Sequence, residues 1–127
     1  MGQAKSGSRA RAMRAHRKAV QSEIAAIAAF LEETLGRALV AHMTGVTDSK
    51  TVGRWASGQQ PRPEAEERLR SIYHVFQLLQ EHESPHTIRA WFVGLNPQLK
   101  DVSPASALHD GKLRDVLVAA KAFIAGG

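Results

Sequence analysis

Cysteine is absent from this 127-residue chain, which excludes disulfide bonds, thiolate metal sites and a cysteine nucleophile. No uninterrupted apolar run approaches the roughly 20 residues that a membrane-spanning helix needs. The N-terminus is basic, but no apolar segment with a cleavage site follows it, as a secretory signal would require. These absences predict a cytoplasmic protein that does not interact with a membrane.

Catalytic and metal-binding motifs are missing as well. The sequence contains no GxSxG, Walker A, GxGxxG or HExxH pattern. His82 and His86 are four residues apart, but Ser84-Pro85 interrupts the helix that would align them. We therefore predict that the chain is not an enzyme and that it uses neither a metal nor a cofactor.

The positive charge is concentrated at the N-terminus. The hydrophobic fraction of 43% is enough for a packed core, while the formal charge is +5. Residues 1–18 contain no acid and six of the 17 basic residues, which are Lys5, Arg9, Arg11, Arg14, Arg17 and Lys18. The remaining chain has 11 basic and 12 acidic residues and so a net charge of −1. Residues 1–18 are interpreted as a basic, flexible arm, which either solubilises the protein or binds phosphates through counterion release. Residues 9–18 could also form a helix when bound.

The rest of the chain has the periodicity of helices. Apolar residues recur at spacings of three and four over 24–35 and 69–79, and no segment alternates as a strand would. Gly36, Gly45 and Gly58 are predicted to end helices, whereas Ser84-Pro85 and Ser103-Pro104 are predicted to begin them. The fold class is therefore predicted to be all-α, with six or seven short helices.

Residues 37–58, "RALVAHMTGVTDSKTVGRWASG", have the pattern of a helix-turn-helix. Ala41 provides a small residue at the helix crossing, Gly45 the turn, and Val46, Val52 and Trp55 the inward anchors. With Val52 and Trp55 inward, the outward residues of the second helix are Ser49, Lys50, Gly53 and Arg54. Such a face suits the major groove of DNA, although a packed helix pair with two solvated cations remains the alternative. A glycine in mid-helix suggests the close approach of a phosphate or another helix at Gly53.

Two family resemblances follow from these motifs. "GVTDSKTVGRWASGQ" is similar to the Xre-type helix-turn-helix, with a turn one residue longer because three residues separate Thr47 from Thr51. Residues 90–127 resemble the toxin-binding domain of MbcA/ParS-type antitoxins of Xre–RES toxin–antitoxin pairs. The matching positions in that block are Trp91, Asn96, Pro97, Leu99, Pro104, Leu108, Gly111, Val116 and Phe123.

The resemblance covers about residues 36–127. Together with the charge distribution, it predicts a basic arm over residues 1–18, an Xre-like helix-turn-helix region over 19–60, and a connecting helix with an MbcA/ParS-type toxin-binding domain over 61–127. It implies an antitoxin that neutralises an NAD-degrading RES-type toxin and binds double-stranded operator DNA through Ser49, Lys50, Thr51 and Arg54. The toxin would be bound by Trp91, Phe92, Asn96, Pro97, Leu99, Pro104, Leu108, Gly111 and Phe123. A homodimer is expected, formed by the apolar helices at 24–35 or 69–79, because two-fold DNA sites usually demand one.

Three alternatives from the residues themselves stay open. The chain could be a stand-alone, phage-type repressor whose residues 60–127 serve dimerisation and packing. It could also be an interaction module without DNA binding, which the near-neutral body favours. Within the C-terminal block, either one of the adjacent aromatic residues Trp91 and Phe92 is exposed to a partner, or both lie in a core of short helices.

Overall fold

The computed structural model describes residues 2–126 and the side chains of residues 7–126. This part of the chain folds into seven α-helices and one 3₁₀ turn, and its only β-type pairing is an isolated bridge between Asn96 and Val102. The helices are α1 (Gly2–Leu35), α2 (Arg37–Thr44), α3 (Lys50–Ala56), α4 (Pro63–Gln80), α5 (Pro85–Val93), α6 (Pro104–His109) and α7 (Leu113–Ile124), with the 3₁₀ turn at Pro97–Leu99 between α5 and α6. The prediction of an all-α fold is confirmed.

The first helix, α1, is much longer than the sequence pattern predicts. Its 34 residues begin at Gly2, so the proposed end of the arm at residue 18 lies inside a helix. Alanine, arginine, methionine and lysine are good helix formers, and extending an existing helix avoids the cost of nucleation. The side chain of Lys5 lies outside the described residues. The predicted stop at Gly36 is correct, since this residue adopts a φ of 88° and donates its N–H to the carbonyl of Glu32 at 3.0 Å.

The helix-turn-helix prediction corresponds to α2 and α3. Gly45 has the left-handed φ of 83° that the turn requires, and its N–H reaches the carbonyl of Ala41 at 2.9 Å. The carboxylate of Asp48, the residue before the N-cap Ser49, accepts the N–H of Lys50 at 2.9 Å and so satisfies a free donor at the start of α3. Val52 and Trp55 are buried, which fixes the opposite side of α3 as its outer face.

One hydrophobic core joins the two predicted regions. α4 packs against α1, α2, α5 and α7, and its residues Leu69, Ile72 and Phe76 are completely buried. The rings of Phe30 and Phe76 meet edge to face, with their centroids 5.0 Å apart. The faces over 24–35 and 69–79 are therefore used inside the protomer. Because intramolecular packing already removes these apolar stripes from water, they are not free to form a dimer interface, and a homodimer stays a prediction.

The C-terminal helices start as the sequence predicts. The hydroxyl of Ser84 accepts the N–H of Thr87, and the hydroxyl of Ser103 accepts that of Ser106 at 3.1 Å. A proline occupies the first turn of both α5 and α6, where its missing N–H has no cost. Among the described residues, no helix combines the length and the hydropathy that a membrane crossing needs.

Candidate functional site

The outer face of α3 carries the residues that the helix-turn-helix interpretation assigned to DNA. Lys50 and Arg54 are exposed, while Ser49 and Thr51 are half-buried. An acid is close to Arg54, because its Nη1 lies 3.9 Å from Oδ2 of Asp48. Both side chains of that pair are more than half exposed, so water screens the attraction and Arg54 can reorient at little cost.

Arg37 is a further cation on this face, and the sequence analysis did not include it. A Cβ on Gly53 would lie only 2.6 Å from Nη2 of Arg37, so the guanidinium group rests directly on the backbone of α3. Its Nε is 2.6 Å from Oε2 of Glu32. The close approach suggested by the mid-helix glycine is therefore that of an arginine from α2, and Gly53 itself was the signal for it. We call Arg37, Lys50 and Arg54 the cationic face of α3.

A second surface feature is an apolar groove between α5, the 3₁₀ turn and α7. It has a volume of about 210 Å³ and is lined by Trp91, Leu95, Asn96, Pro97, Gln98, Ala119 and Phe123. The structure thus brings together four of the nine residues predicted to bind a toxin, namely Trp91, Asn96, Pro97 and Phe123. The seven lining residues are called the apolar groove below.

Leu95 at the rim of the apolar groove was missed by the sequence analysis. Its side chain is 76% exposed, and the neighbouring Val93 is 48% exposed. A single exposed apolar residue is common on protein surfaces, but Leu95 extends the apolar lining of the groove into one surface with Trp91, Pro97 and Phe123. The only sequence signal was an apolar residue between Gly94 and Asn96-Pro97, outside every helix stripe.

Trp91 and Phe92 are both buried in the protomer, so neither is exposed and the alternative of a shared core holds, although Trp91 also lines the apolar groove. Their rings meet edge to face at 5.3 Å, and the ring of Phe123 lies 6.3 Å from that of Trp91. Both can be buried because α1, α4 and α6 pack against α5 while α7 supplies Phe123. Nε1 of Trp91 is buried without a hydrogen-bond partner, which typically costs about 1–3 kcal/mol.

The edge of the apolar groove is a tight loop fixed by Asn96. Its Oδ1 accepts the N–H of Gln98, and its carbonyl accepts those of Leu99 and Asp101, each at 2.9 Å. Lys100 and Asp101 have left-handed φ values of 57° and 64°, a conformation that costs about 1–2 kcal/mol for ordinary L-residues. Asn96-Pro97 therefore forms a hydrogen-bonded turn, which holds Leu95 and Pro97 at the rim of the apolar groove.

The five other residues predicted to bind a toxin lie outside the apolar groove. Phe92 and Leu108 belong to the core, and Pro104 is buried. Gly111 adopts a φ of 82° beside Arg68, whose Nη1 donates to the carbonyls of Leu108 and His109 at the end of α6. These positions build the scaffold that supports the groove.

Leu99, the last of those five, lines a larger cavity of about 390 Å³, together with Gln98, Lys100, Val102, Ala107, Asp110, Lys112 and Asp115. Most of that lining is charged or polar, with both signs present. Cores of protein interfaces are depleted in charge and enriched in aromatic residues. The smaller apolar groove is therefore the better candidate for a protein partner.

The histidines do not assemble a metal site in the part of the chain that the structure describes, where no three His, Cys, Asp or Glu side chains cluster. His82 and His86 are both exposed, and a break between α4 and α5 separates them. His42 and His109 instead stack with their ring centroids 4.8 Å apart, and Nδ1 of His109 is 2.7 Å from the carbonyl oxygen of His42. This pair joins α2 to α6.

These features define an all-α protein in which a helix-turn-helix pair and an apolar groove share one core. Its structure is similar to a chain in the crystal structure of the M. tuberculosis MbcT–MbcA toxin–antitoxin complex, with a TM-score of 0.68 and 26% sequence identity. The match covers 80% of this chain and 94% of that chain. No family model matches the sequence, and no curated protein matches it either. The structural match confirms the predicted resemblance to an MbcA-like antitoxin, while the roles of individual residues stay predictions.

Proposed function

We propose that this protein is an antitoxin that binds and neutralises a toxin through the apolar groove. The observation that supports it best is the similarity to a chain of the MbcT–MbcA toxin–antitoxin complex over most of both chains. An antitoxin acts by binding, so this function agrees with the prediction of a non-catalytic protein. Following the resemblance of residues 90–127, the proposed toxin is a RES-type enzyme that degrades NAD.

The physical basis of toxin binding is an anchor residue beside a rigid cleft. Leu95 is already extended into water, so little side-chain reorganisation precedes its burial by a partner. The floor beneath it, formed by Trp91 and Phe123, is fixed by aromatic packing. Burying a leucine of this kind in a partner's pocket supplies binding energy without a large ordering cost.

A matched pair of variants tests the groove. Leu95→Asp places a charge at the rim of the groove, whereas Val118→Asp places one on α7 at a 57% exposed position outside the groove lining. Wild type, L95D and V118D are tagged and captured from the native cells, and the bound proteins are identified and quantified. We expect wild type and V118D to retain a stoichiometric partner that consumes NAD once separated. L95D should bind it at least about 30-fold more weakly, as loss of a hot spot does.

Two results would contradict the proposal at different points. Equal capture by L95D and wild type would remove the groove from the interface. A stoichiometric partner that leaves NAD intact would keep the antitoxin function but exclude a RES-type toxin.

We propose a second function, binding of double-stranded operator DNA by α3, for autoregulation. The observation that favours it is the exposed cationic face, with Lys50 and Arg54 outward while Val52 and Trp55 anchor the helix in the core. Ser49 and Thr51 are half-buried, so they are better placed to contact the DNA phosphates and sugars than the base edges in the major groove. The rival function, a stand-alone repressor, shares this activity and lacks the toxin partner.

DNA readout is tested with a duplex selected by the wild-type chain from a random pool. Arg54→Ala should weaken binding of that duplex by about 1–3 kcal/mol if Arg54 reads a base. Arg114→Ala, which removes an exposed arginine from α7, is the charge-matched control and should leave affinity nearly unchanged. Equal loss in both variants would show a nonspecific charge effect, and no loss in either would remove Arg54 from the interface.

A further inference from the structure

The first turns of α1 form a helix that nothing in the described structure covers. Every residue from 8 to 19 is exposed, so burial of apolar surface does not stabilise this segment. Five cations project from it, Arg9, Arg11, Arg14, Arg17 and Lys18, and the first acid of the chain is Glu23. A helix with charge of one sign and no packing partner is suited to binding a polyanion.

One side of this extension faces the end of α3. Lys18, Gln21, Ser22 and Ala25 line a shallow surface cavity together with Ala56, Ser57 and Gly58, where α3 ends. Arg14 precedes Lys18 by four residues and Arg11 precedes Arg14 by three, so all three lie on the same side of the helix. We call Arg11, Arg14 and Lys18 the basic stripe.

The other two cations point elsewhere. Arg17 lines a separate cavity with Gln60 and Glu66, on the side of α1 nearer to α4. Arg9 is two residues before Arg11, about 200° around the helix. Arg17 follows Arg14 by three residues, about 60° around the helix, and so lies at the edge of the basic stripe, whereas Arg9 lies on the opposite side.

We propose that the basic stripe binds the phosphate backbone of the same DNA duplex that α3 contacts; this inference rests on the proposed DNA-binding function. The seven helical steps from Arg11 to Lys18 rise about 10 Å, which spans about three phosphates of one strand. Repulsion among like charges three and four residues apart opposes the helix in free protein. Phosphates placed along the stripe remove this repulsion, so binding and helix formation reinforce each other.

DNA fits the stripe better than a lipid surface does. Membrane-surface helices pair their basic side with an apolar one of Trp, Phe or Leu, whereas Met13 is the one large apolar side chain among the exposed residues 8–19. Lys18 of the stripe also lies across a shallow cavity from Ser57 and Gly58, which directly follow α3, the helix that carries Arg54. Charge complementarity and this continuity favour duplex DNA.

The test compares two variants of equal net charge in the full-length chain. Arg11→Gln/Arg14→Gln removes two charges from the basic stripe, and Arg9→Gln/Arg17→Gln removes two from the other sides. All four positions are exposed, and circular dichroism checks that both variants keep the fold. The affinity for a random-sequence DNA duplex is measured over a series of KCl concentrations. The logarithm of the binding constant falls as salt rises, and each lost phosphate contact makes that negative slope about 0.9 smaller in magnitude.

We expect R11Q/R14Q to reduce the magnitude of that slope by about two, and R9Q/R17Q, in which only Arg17 borders the stripe, to reduce it by about one at most. Equal reductions in both variants would overturn the proposal, because charge alone and not its position would then matter. Unchanged slopes in both would also overturn it, while leaving DNA binding by α3 in place. Absence of binding by the wild-type chain would refute DNA binding itself. Preference for phosphatidylserine vesicles over the duplex would assign the stripe to a membrane and overturn the proposal.

Discussion

Replacing Gly53 by alanine tests how tightly the cationic face of α3 is assembled. The backbone at Gly53 is helical, so alanine is compatible with it, and the exchange should stabilise the helix by about 1 kcal/mol. Against this, the new Cβ would collide with Nη2 of Arg37 at 2.6 Å. That atom is the end of a flexible side chain, which can swing away into solvent.

The cost of moving Arg37 is the loss of its ion pair with Glu32. The side chain of Arg37 is 54% exposed and that of Glu32 26% exposed, and pairs of this kind contribute about 0.2–1 kcal/mol. If loss of the ion pair costs about 0.5 kcal/mol, the gain of about 1 kcal/mol from alanine in the helix leaves a net stabilisation of about 0.5 kcal/mol. For a domain of this size that raises Tm by about 2 °C.

Thermal and urea unfolding of four proteins measures both parts: wild type, G53A, R37A and R37A/G53A. With Arg37 removed, the Gly53→Ala exchange should yield the full gain of about 1 kcal/mol, and the difference between the two backgrounds is the cost of displacing Arg37. A G53A protein less stable than wild type by about 1 kcal/mol or more would refute this reasoning. It would mean that the guanidinium group cannot leave the surface of α3.

Three further substitutions are expected to lower, raise and leave nearly unchanged the free energy of unfolding. Arg68→Ala removes the donor to the carbonyls of Leu108 and His109, and urea unfolding should give a loss of about 1–2 kcal/mol; an unchanged midpoint would contradict this capping role. Lys100→Gly relieves a φ of 57° and should raise the free energy of unfolding by about 1 kcal/mol, whereas a decrease would mean that the lysine side chain makes a compensating contact. Leu95→Asp, at a 76% exposed position, should change the free energy of unfolding by less than about 0.5 kcal/mol, although it weakens binding of the proposed toxin; a larger loss of stability would make Leu95 part of the fold.

Local signals in the sequence predicted most helix ends correctly. Gly36 and Gly45 end their helices with positive φ, and Ser84 and Ser103 cap theirs ahead of a proline. These features depend on a few neighbouring residues, so they can be derived from the sequence. The start of α1 was not predicted correctly, because an exposed helix without an apolar stripe has no periodic pattern to detect.

The sequence by itself determined the all-α class and most helix ends, the burial of Val52 and Trp55, and the segregation of positive charge into the N-terminal residues. Only the tertiary structure decided that Arg37 lies across Gly53 and that both Trp91 and Phe92 are buried. It also decided that Leu95 stays exposed beside a groove built from three separate elements. The physical reason is that propensities and caps act between close neighbours along the chain. Exposure and groove shape, in contrast, depend on which distant helices pack together and which apolar side chains they leave uncovered.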